Sequence, residues 1–326
     1  PFADELFGSD DVERALLAAA LLPLVQSSEN VASTALLLHS RYDLRGVYQA
    51  GSAALRLLAI VIAAPLGVTE ALVAIVVAQA IATVAVSGVG LVALRRFPAA
   101  PPRELAEDVP GIRSFVIESS IATGVISLRT TLVPVVLGVA SGTTQVGLFR
   151  IAQTPQTGLA AASSPARLVL MTEQTRDWEK GERRGILSGI RRYSRWAIGL
   201  MLVAVPAFFL AMPWLVDTVF GSEYDDSVTA ARIILLSAAI HFALGWSKSL
   251  PVTIGRPRLR IWTHGLEALV AIPLVAVLGA EWGATGAAVA VLVSTFVFAA
   301  AWLVVIVRLR DEVYATDPVS EVSLQP

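Results

Sequence analysis

Two uninterrupted apolar runs, residues 71–94 and 284–307, constrain this chain more than anything else in it. Each matches the roughly 20 residues that a helix needs to cross a 30 Å hydrocarbon core. A water-soluble domain would have to bury both runs on every side, and a third one, 57–65, besides. The composition excludes this. Hydrophobic residues make up 55% of the 326 and charged residues 16%, whereas soluble domains carry about 25% charged. Ten-residue segments of alternating polarity, the mark of a membrane β-barrel, are absent. The expected fold class is all-α: a polytopic transmembrane helical bundle.

About nine spanning helices can be drawn, at 14–38 (with Pro23 as a kink), 47–65, 70–94, 113–140, 145–172, 186–219, 227–252, 259–278 and 285–307. The Pro-rich polar stretch 95–111 separates the first three from the last six. The expected organisation is residues 1–96 as the second half of an N-terminal bundle and 97–112 as a cytoplasmic linker. Residues 113–310 form a complete six-helix bundle, and 311–326 a disordered tail. The chain begins with Pro1, and its first residues are acidic, so it is expected to be cut from a longer one. Arg41, Leu44 and Arg45 recur as Arg256, Leu259 and Arg260, each leading into a similar helix pair. Such parallel repeats build many transporters, with substrate held between the halves.

Charge supports this order of spans. The loops after the first, third, fifth and seventh spans, with the C-terminal flank, hold most of the 25 Lys and Arg residues. The turns after the second, fourth, sixth and eighth hold none, and carry Asp217, Glu223, Asp225, Asp226 and Glu281. By the positive-inside rule the C-terminus is cytoplasmic and residue 1 external, in a multi-pass protein of the cell (plasma or inner) membrane. The basic run 183–195 reads as an orientation signal and a contact for anionic membrane lipids, not as a nucleic-acid site.

Several chemistries are excluded. There is no cysteine, hence no disulfide, thiolate metal site or cysteine nucleophile. The three histidines, His39, His241 and His264, lie in no metal-binding motif, so neither metal nor cofactor is expected. His241, seven residues from Lys248, reads as a buried, hydrogen-bonded histidine.

The informative residues are charges inside apolar helices. Arg129, Arg150 and Arg167 lie in the 114–172 hairpin, and Arg56 lies in the second span. Arg150, Gln153, Thr154, Thr157, Ser164 and Arg167 recur at helical spacing along one face. A cationic lining for phosphate oxygens is one reading, since guanidinium pairs with them through two hydrogen bonds. Interhelical ion pairs with Glu29, Glu118 or Glu267 are the other. Glu118 is a possible coupling site or charge partner. It shares a face with Arg129 but stands about 16 Å away along the axis, too far to pair directly. Glu29 is a second such candidate. With Gln26, Asn30 and Ser33 it forms a polar stripe suited to interhelical hydrogen bonds.

Four stretches carry a resemblance to a known family. VGLFRIAQTPQTGLAAASSPARLVL at 146–170 resembles the "VGxYxxA" helix of polysaccharide flippases. FGSEY at 220–224 resembles their "FGxxY" turn, IGRPRLR at 254–260 their "Gr" turn, and WGATGAAVAVLVS at 282–294 their "GxxGAAxAtxxs" helix. In order and spacing these resemble the Wzx-type oligosaccharide-lipid exporters of the MATE/polysaccharide-flippase (MOP) superfamily. Thr130-Thr131 stand where relatives often carry an acid. The resemblance implies two six-helix bundles around a central cavity. It also implies movement of a polyprenyl-diphosphate-linked oligosaccharide to the outer leaflet for surface polysaccharide biosynthesis. Arg129, Arg150, Arg56 and Arg167 would then face the diphosphate. The partners would be the lipid-linked oligosaccharide, membrane lipids and a polysaccharide polymerase or export machinery. A cation-coupled small-molecule or drug antiporter of the same superfamily is the alternative. A membrane glycosyltransferase or polysaccharide polymerase fits less well, because such enzymes need acidic catalytic motifs or a large external loop. The chain is therefore expected not to be an enzyme.

Overall fold

A computed structural model describes residues 10–38, 41–96 and 108–315. Among them every regular element is helical, as the apolar runs demand. The chain divides into two compact units, residues 1–104 and 105–326. Residues 97–107 of the expected linker, Arg103 included, lie outside the described residues. So do His39 and residues 316–326 of the expected tail.

The first unit contains α1 (Asp10–Leu38), α2 (Tyr42–Ala63) and α3 (Val68–Arg95). A single 3₁₀ turn, Ala64–Leu66, joins α2 to α3, and Gly67 at φ 136° lets the chain reverse. Small residues bring α1 and α3 close. A methyl group on Gly90 would overlap Ala32, and Ala32, Ala35, Leu36, Val86 and Ala93 form the buried seam. Hydrocarbon gives apolar side chains no reason to leave it, so van der Waals contact across such a seam holds the helices together. One polar bridge crosses it: Gln79 Nε2 donates to Glu29 Oε2 at 2.9 Å.

The second unit opens with α4 (Val109–Ser141), which turns at Gly142 (φ 85°) into α5 (Thr143–Ala152). The single helix expected over 145–172 is instead three short ones: α5, α6 (Thr154–Ala162) and α7 (Ser164–Glu179). The breaks fall at Gln153 and Ser163, just before Pro155 and Pro165, each in the first turn of the next helix. Proline has no N–H to continue the preceding ladder, and its ring crowds the carbonyl four residues back. The helix expected over 145–172 is therefore interrupted at two prolines.

The 38-residue helix α8 (Arg183–Phe220) follows, then α9 (Ser227–Ala243). The stretch expected to stay helical to 252 passes through a 3₁₀ turn at Gly245–Lys248 and resumes as α10 (Leu250–Thr253). Gly245 sits so close to the Tyr193 ring that any Cβ there would collide with its hydroxyl.

The last element, α11, runs from Arg258 to Ala315 and doubles back at Gly283 (φ 56°, ψ −133°). Contacts between its two arms establish the reversal. Gly286 abuts the Leu278 carbonyl near the bend. His264 stacks on Phe298 halfway along, and Glu312 reaches back to Arg256, just before α11, at 3.0 Å. Gln145 Oε1 accepts from the amide of Ala284 at 2.8 Å and caps the second arm. The expected spans 259–278 and 285–307 are these two arms.

The outside of the protein is apolar. Val139, Leu210 and Leu202 are more than 70% exposed, which suits acyl chains and no aqueous surface. Among the described residues five helical stretches are long and apolar enough to cross a membrane, one of them the folded-back Arg258–Val313; Ser227–Ala243 is shorter. Two apolar cores fill the second unit. One gathers Leu137, Phe149, Ile234 and Val275; the other gathers Tyr193, Phe242, Trp246, Phe298 and Trp302. Between Ala271 of the first and Phe298 of the second stands the one fully buried glutamate among the described residues, Glu267.

Candidate functional site

Arg129 sits inside α4, roughly 30 Å from its start and 18 Å from its end along the axis. An arginine at such depth costs about 2.5–3.5 kcal/mol on insertion scales unless protein groups replace its water. Glu267 does so: Arg129 Nη1 lies 2.9 Å from Glu267 Oε1, and the glutamate side chain has no exposed surface. His241 Nε2 reaches the same oxygen at 3.1 Å, and His264 Nδ1 reaches Oε2 at 3.1 Å. Three elements thus converge on one carboxylate. α4 brings Arg129, α9 brings His241, and the first arm of α11 brings His264 and Glu267. Phe298, from the second arm, lies 4.9 Å from both imidazoles, centroid to centroid. Thr295, one turn earlier, places its hydroxyl 3.4 Å from His241 Nε2.

A buried ion pair holds only when its remaining donors and lone pairs are satisfied. Glu267 meets that condition from both sides, because protons on Nε2 of His241 and Nδ1 of His264 let both rings donate. Arg129 does not. Its Nε is buried and has no hydrogen-bond partner among the described residues.

A cavity of about 300 Å³ opens beside this cluster. Arg129, His241 and His264 line it, together with Lys248 from the 3₁₀ turn, Arg260 from α11 and Gln156 from α6. The Nε of Arg260 is also buried without a partner among the described residues. Among the described lining residues there is no carboxylate; Glu267 lies behind its three partners. Two guanidinium groups, the Lys248 amine and two imidazoles therefore line a space with orphaned N–H donors, an arrangement suited to an oxyanion. Among the described residues no His, Asp and Glu group is arranged to hold a metal ion.

Comparison with solved structures fixes the fold. An outward-facing multidrug resistance MATE family transporter of the MOP superfamily superposes with a TM-score of 0.70 at 14% identity, over 96% of this chain and 72% of that one. A MATE in complex with MaL6 gives 0.65 at 14% identity, over 94% and 70%. A MATE in the bent conformation gives 0.63 at 15% identity, over 94% and 68%. The chain has a MATE-like transporter fold. No family model matches the sequence. The inner membrane protein YghQ of Escherichia coli (strain K12) is 32% identical in a 134-residue alignment that covers 38% of this chain. That match spans about a third of the relative's length, 34%. These likenesses show the fold, and the apolar helices agree with a multi-pass membrane protein.

Of the charged residues singled out in the sequence whose side chains are described, Arg129 is the one that lines the cavity of the second unit. Arg150 is exposed, bonds Gln153 Oε1 at 3.4 Å, and is not among the cavity's lining residues. The side chain of Arg167 lies outside the described ones. Arg56, in α2, is half-buried and donates through Nε to the Ser52 carbonyl at 3.3 Å. Glu118 is the charge partner of Arg258, at 2.7 Å, and also accepts from Ser114 at 3.2 Å. It does not neutralise Arg129. Glu29 serves the α1–α3 seam through Gln79.

His264 and Arg260 were not legible as site residues, although a signal existed. Arg260, His264 and Glu267 are spaced four and three apart, one helical face. That stripe is shorter than the one over 150–167 but lies on unbroken helix.

Proposed function

We propose that this protein is a membrane transporter that flips a polyprenyl-diphosphate-linked oligosaccharide from the cytoplasmic to the outer leaflet by alternating access. The observation that carries this reading is the sign of the cavity. Its wall presents Arg129, Lys248 and Arg260 with no carboxylate among them. A diphosphate offers oxygens to guanidinium pairs while its lipid tail stays in the bilayer. The Wzx-like motifs at 146–170, 220–224, 254–260 and 282–294 support the same substrate class. In this reading the basic end of the helices is cytoplasmic, and the head group meets Arg129 within the bundle.

A second reading, the cation-coupled small-molecule antiporter, draws on Glu267. A buried carboxylate held by two titratable rings is a place where a proton or cation exchanges with a cationic substrate.

The test is transport by the full-length protein in proteoliposomes, with a fluorescent polyprenyl-diphosphate oligosaccharide on one leaflet. Wild-type protein is expected to equilibrate the lipid between leaflets, and Arg129→Ala and Arg260→Ala to slow it at least tenfold. Cationic dye exchange that depends on Glu267, with no movement of the lipid-linked sugar, would replace the flippase reading with the antiporter.

A further inference from the structure

A second cavity, of about 520 Å³, lies in the same unit between α8, the end of α9 and the second arm of α11. Its walls share one chemical gradient. On α8, Arg184, Arg191 and Arg195 recur at steps of seven and four, with Ile198 at the inner end of the stripe. On α11, Arg310, Ile306 and Leu303 recur at four and three, again with the arginine outermost. The two helices run in opposite senses, so both place guanidinium toward the basic end of the bundle and aliphatic carbon toward its middle. The lining contains four arginines and no carboxylate. Arg310 shares its charge with Asp311 at 3.4 Å. Among the described residues, Arg191 and Arg195 make no ion pair, and both are exposed.

Two tryptophans line the cavity on its inner side. Trp246 and Trp302 meet edge to face at 5.2 Å, and Trp246 Nε1 donates to Ser194 Oγ at 2.9 Å. Trp302 has no exposed surface, and its indole N–H finds no acceptor among the described residues. Leu303 beyond it is 65% exposed, so the groove continues onto the lipid-facing surface.

We infer that this groove is a binding site for an anionic glycerophospholipid. Arg191, Arg195 and Arg310 hold its phosphate, and the paired indoles of Trp246 and Trp302 close the inner end of the groove. The acyl chains follow Ile198, Ile306 and Leu303 into the bilayer. Charge complementarity selects this occupant. A zwitterionic lipid would bring its own cation against four arginines, whereas an anionic one removes like-charge repulsion. The site is separate from the Arg129 cavity and does not rest on the flippase reading.

The experiment uses the whole chain, delipidated in detergent and titrated with one lipid at a time: phosphatidylglycerol, cardiolipin, phosphatidylethanolamine or undecaprenyl diphosphate. Bound lipid is counted by native mass spectrometry. Phosphatidylglycerol and cardiolipin are expected to bind at least tenfold more tightly than phosphatidylethanolamine. An Arg191→Gln/Arg195→Gln variant, altered only at exposed positions, loses that preference. An Arg176→Gln/Lys180→Gln variant removes the same charge outside the groove and retains it. Equal retention of phosphatidylethanolamine overturns the choice of an anionic occupant, and equal loss in both variants overturns the site in favour of general charge attraction. A tenfold preference for undecaprenyl diphosphate over both phospholipids overturns it in favour of the transported lipid. Normal transport alongside failed lipid selection sinks this inference alone, and the converse result sinks only the flippase reading.

Discussion

The guanidinium of Arg129 and the carboxylate of Glu267 stand 2.9 Å apart across two helices, with the glutamate wholly buried. Each charge is tolerable in the bundle because of the other. Breaking such a pair from one side costs about 3–5 kcal/mol, whereas replacing both partners with apolar groups of similar size is often close to neutral. Glu267→Met alone is therefore expected to lower the melting temperature sharply, and Arg129→Met/Glu267→Met to recover much of the loss. Thermal unfolding of the four proteins of this cycle is the measurement. A double variant as unstable as the two single effects added together would mean that the pair does not act as a unit.

Transport separates Arg129 from Arg150. One lines the cavity of the second unit, and the other is exposed and bonded to Gln153. Arg129→Ala is expected to reduce flipping at least tenfold, about 1.4 kcal/mol or more, while Arg150→Ala keeps at least half the wild-type rate. Equal losses in proteoliposomes would move the substrate path toward α5.

The bend of α11 depends on the absence of side chains. A methyl group on Gly286 would overlap the Leu278 carbonyl, a backbone atom that cannot swing aside, whereas one on Gly265 meets nothing within 4 Å. Gly286→Ala is expected to destabilise the fold by about 2 kcal/mol or more, the magnitude of core overpacking. Gly265→Ala is expected to be neutral or stabilising by up to about 1 kcal/mol, from helix propensity. Melting temperatures of both variants decide it.

In the first unit, Gln79→Leu removes the donor that Glu29 accepts from at 2.9 Å. A carboxylate stripped of its partner in a membrane bundle costs about 1–3 kcal/mol, so the variant is expected to melt earlier. Gln79→Glu is expected to be worse, because it sets two carboxylates against each other. If both variants match wild type, the α1–α3 seam owes its stability to the alanine contacts around Gly90.

The all-helical membrane class was legible because hydropathy and helix length are local properties that add along the chain. The turn at Gly142 and the hairpin at Gly283 were legible for the same reason. The proline breaks before α6 and α7 were available to read, at Pro155 and Pro165, but the regular spacing of polar residues across them favoured one continuous helix. The site was half legible. Arg129 stood out as a deep charge, and Glu267 was one of three candidate partners for it. Glu118 was set aside correctly by distance along α4, and its actual partner, Arg258, lies on another helix.

The sequence by itself determined where this chain is helical, how apolar those helices are and which charges lie deep inside them. Only the tertiary structure decided which charges meet. Successive residues on a helix turn by 100°, so a small change in the rotation of α4 or α11 would aim Arg129 or Glu267 elsewhere. That rotation is set by Gly286 against Leu278, Gln145 capping Ala284 and Phe298 against the two histidines. These contacts join residues distant in the chain, and no local pattern encodes them.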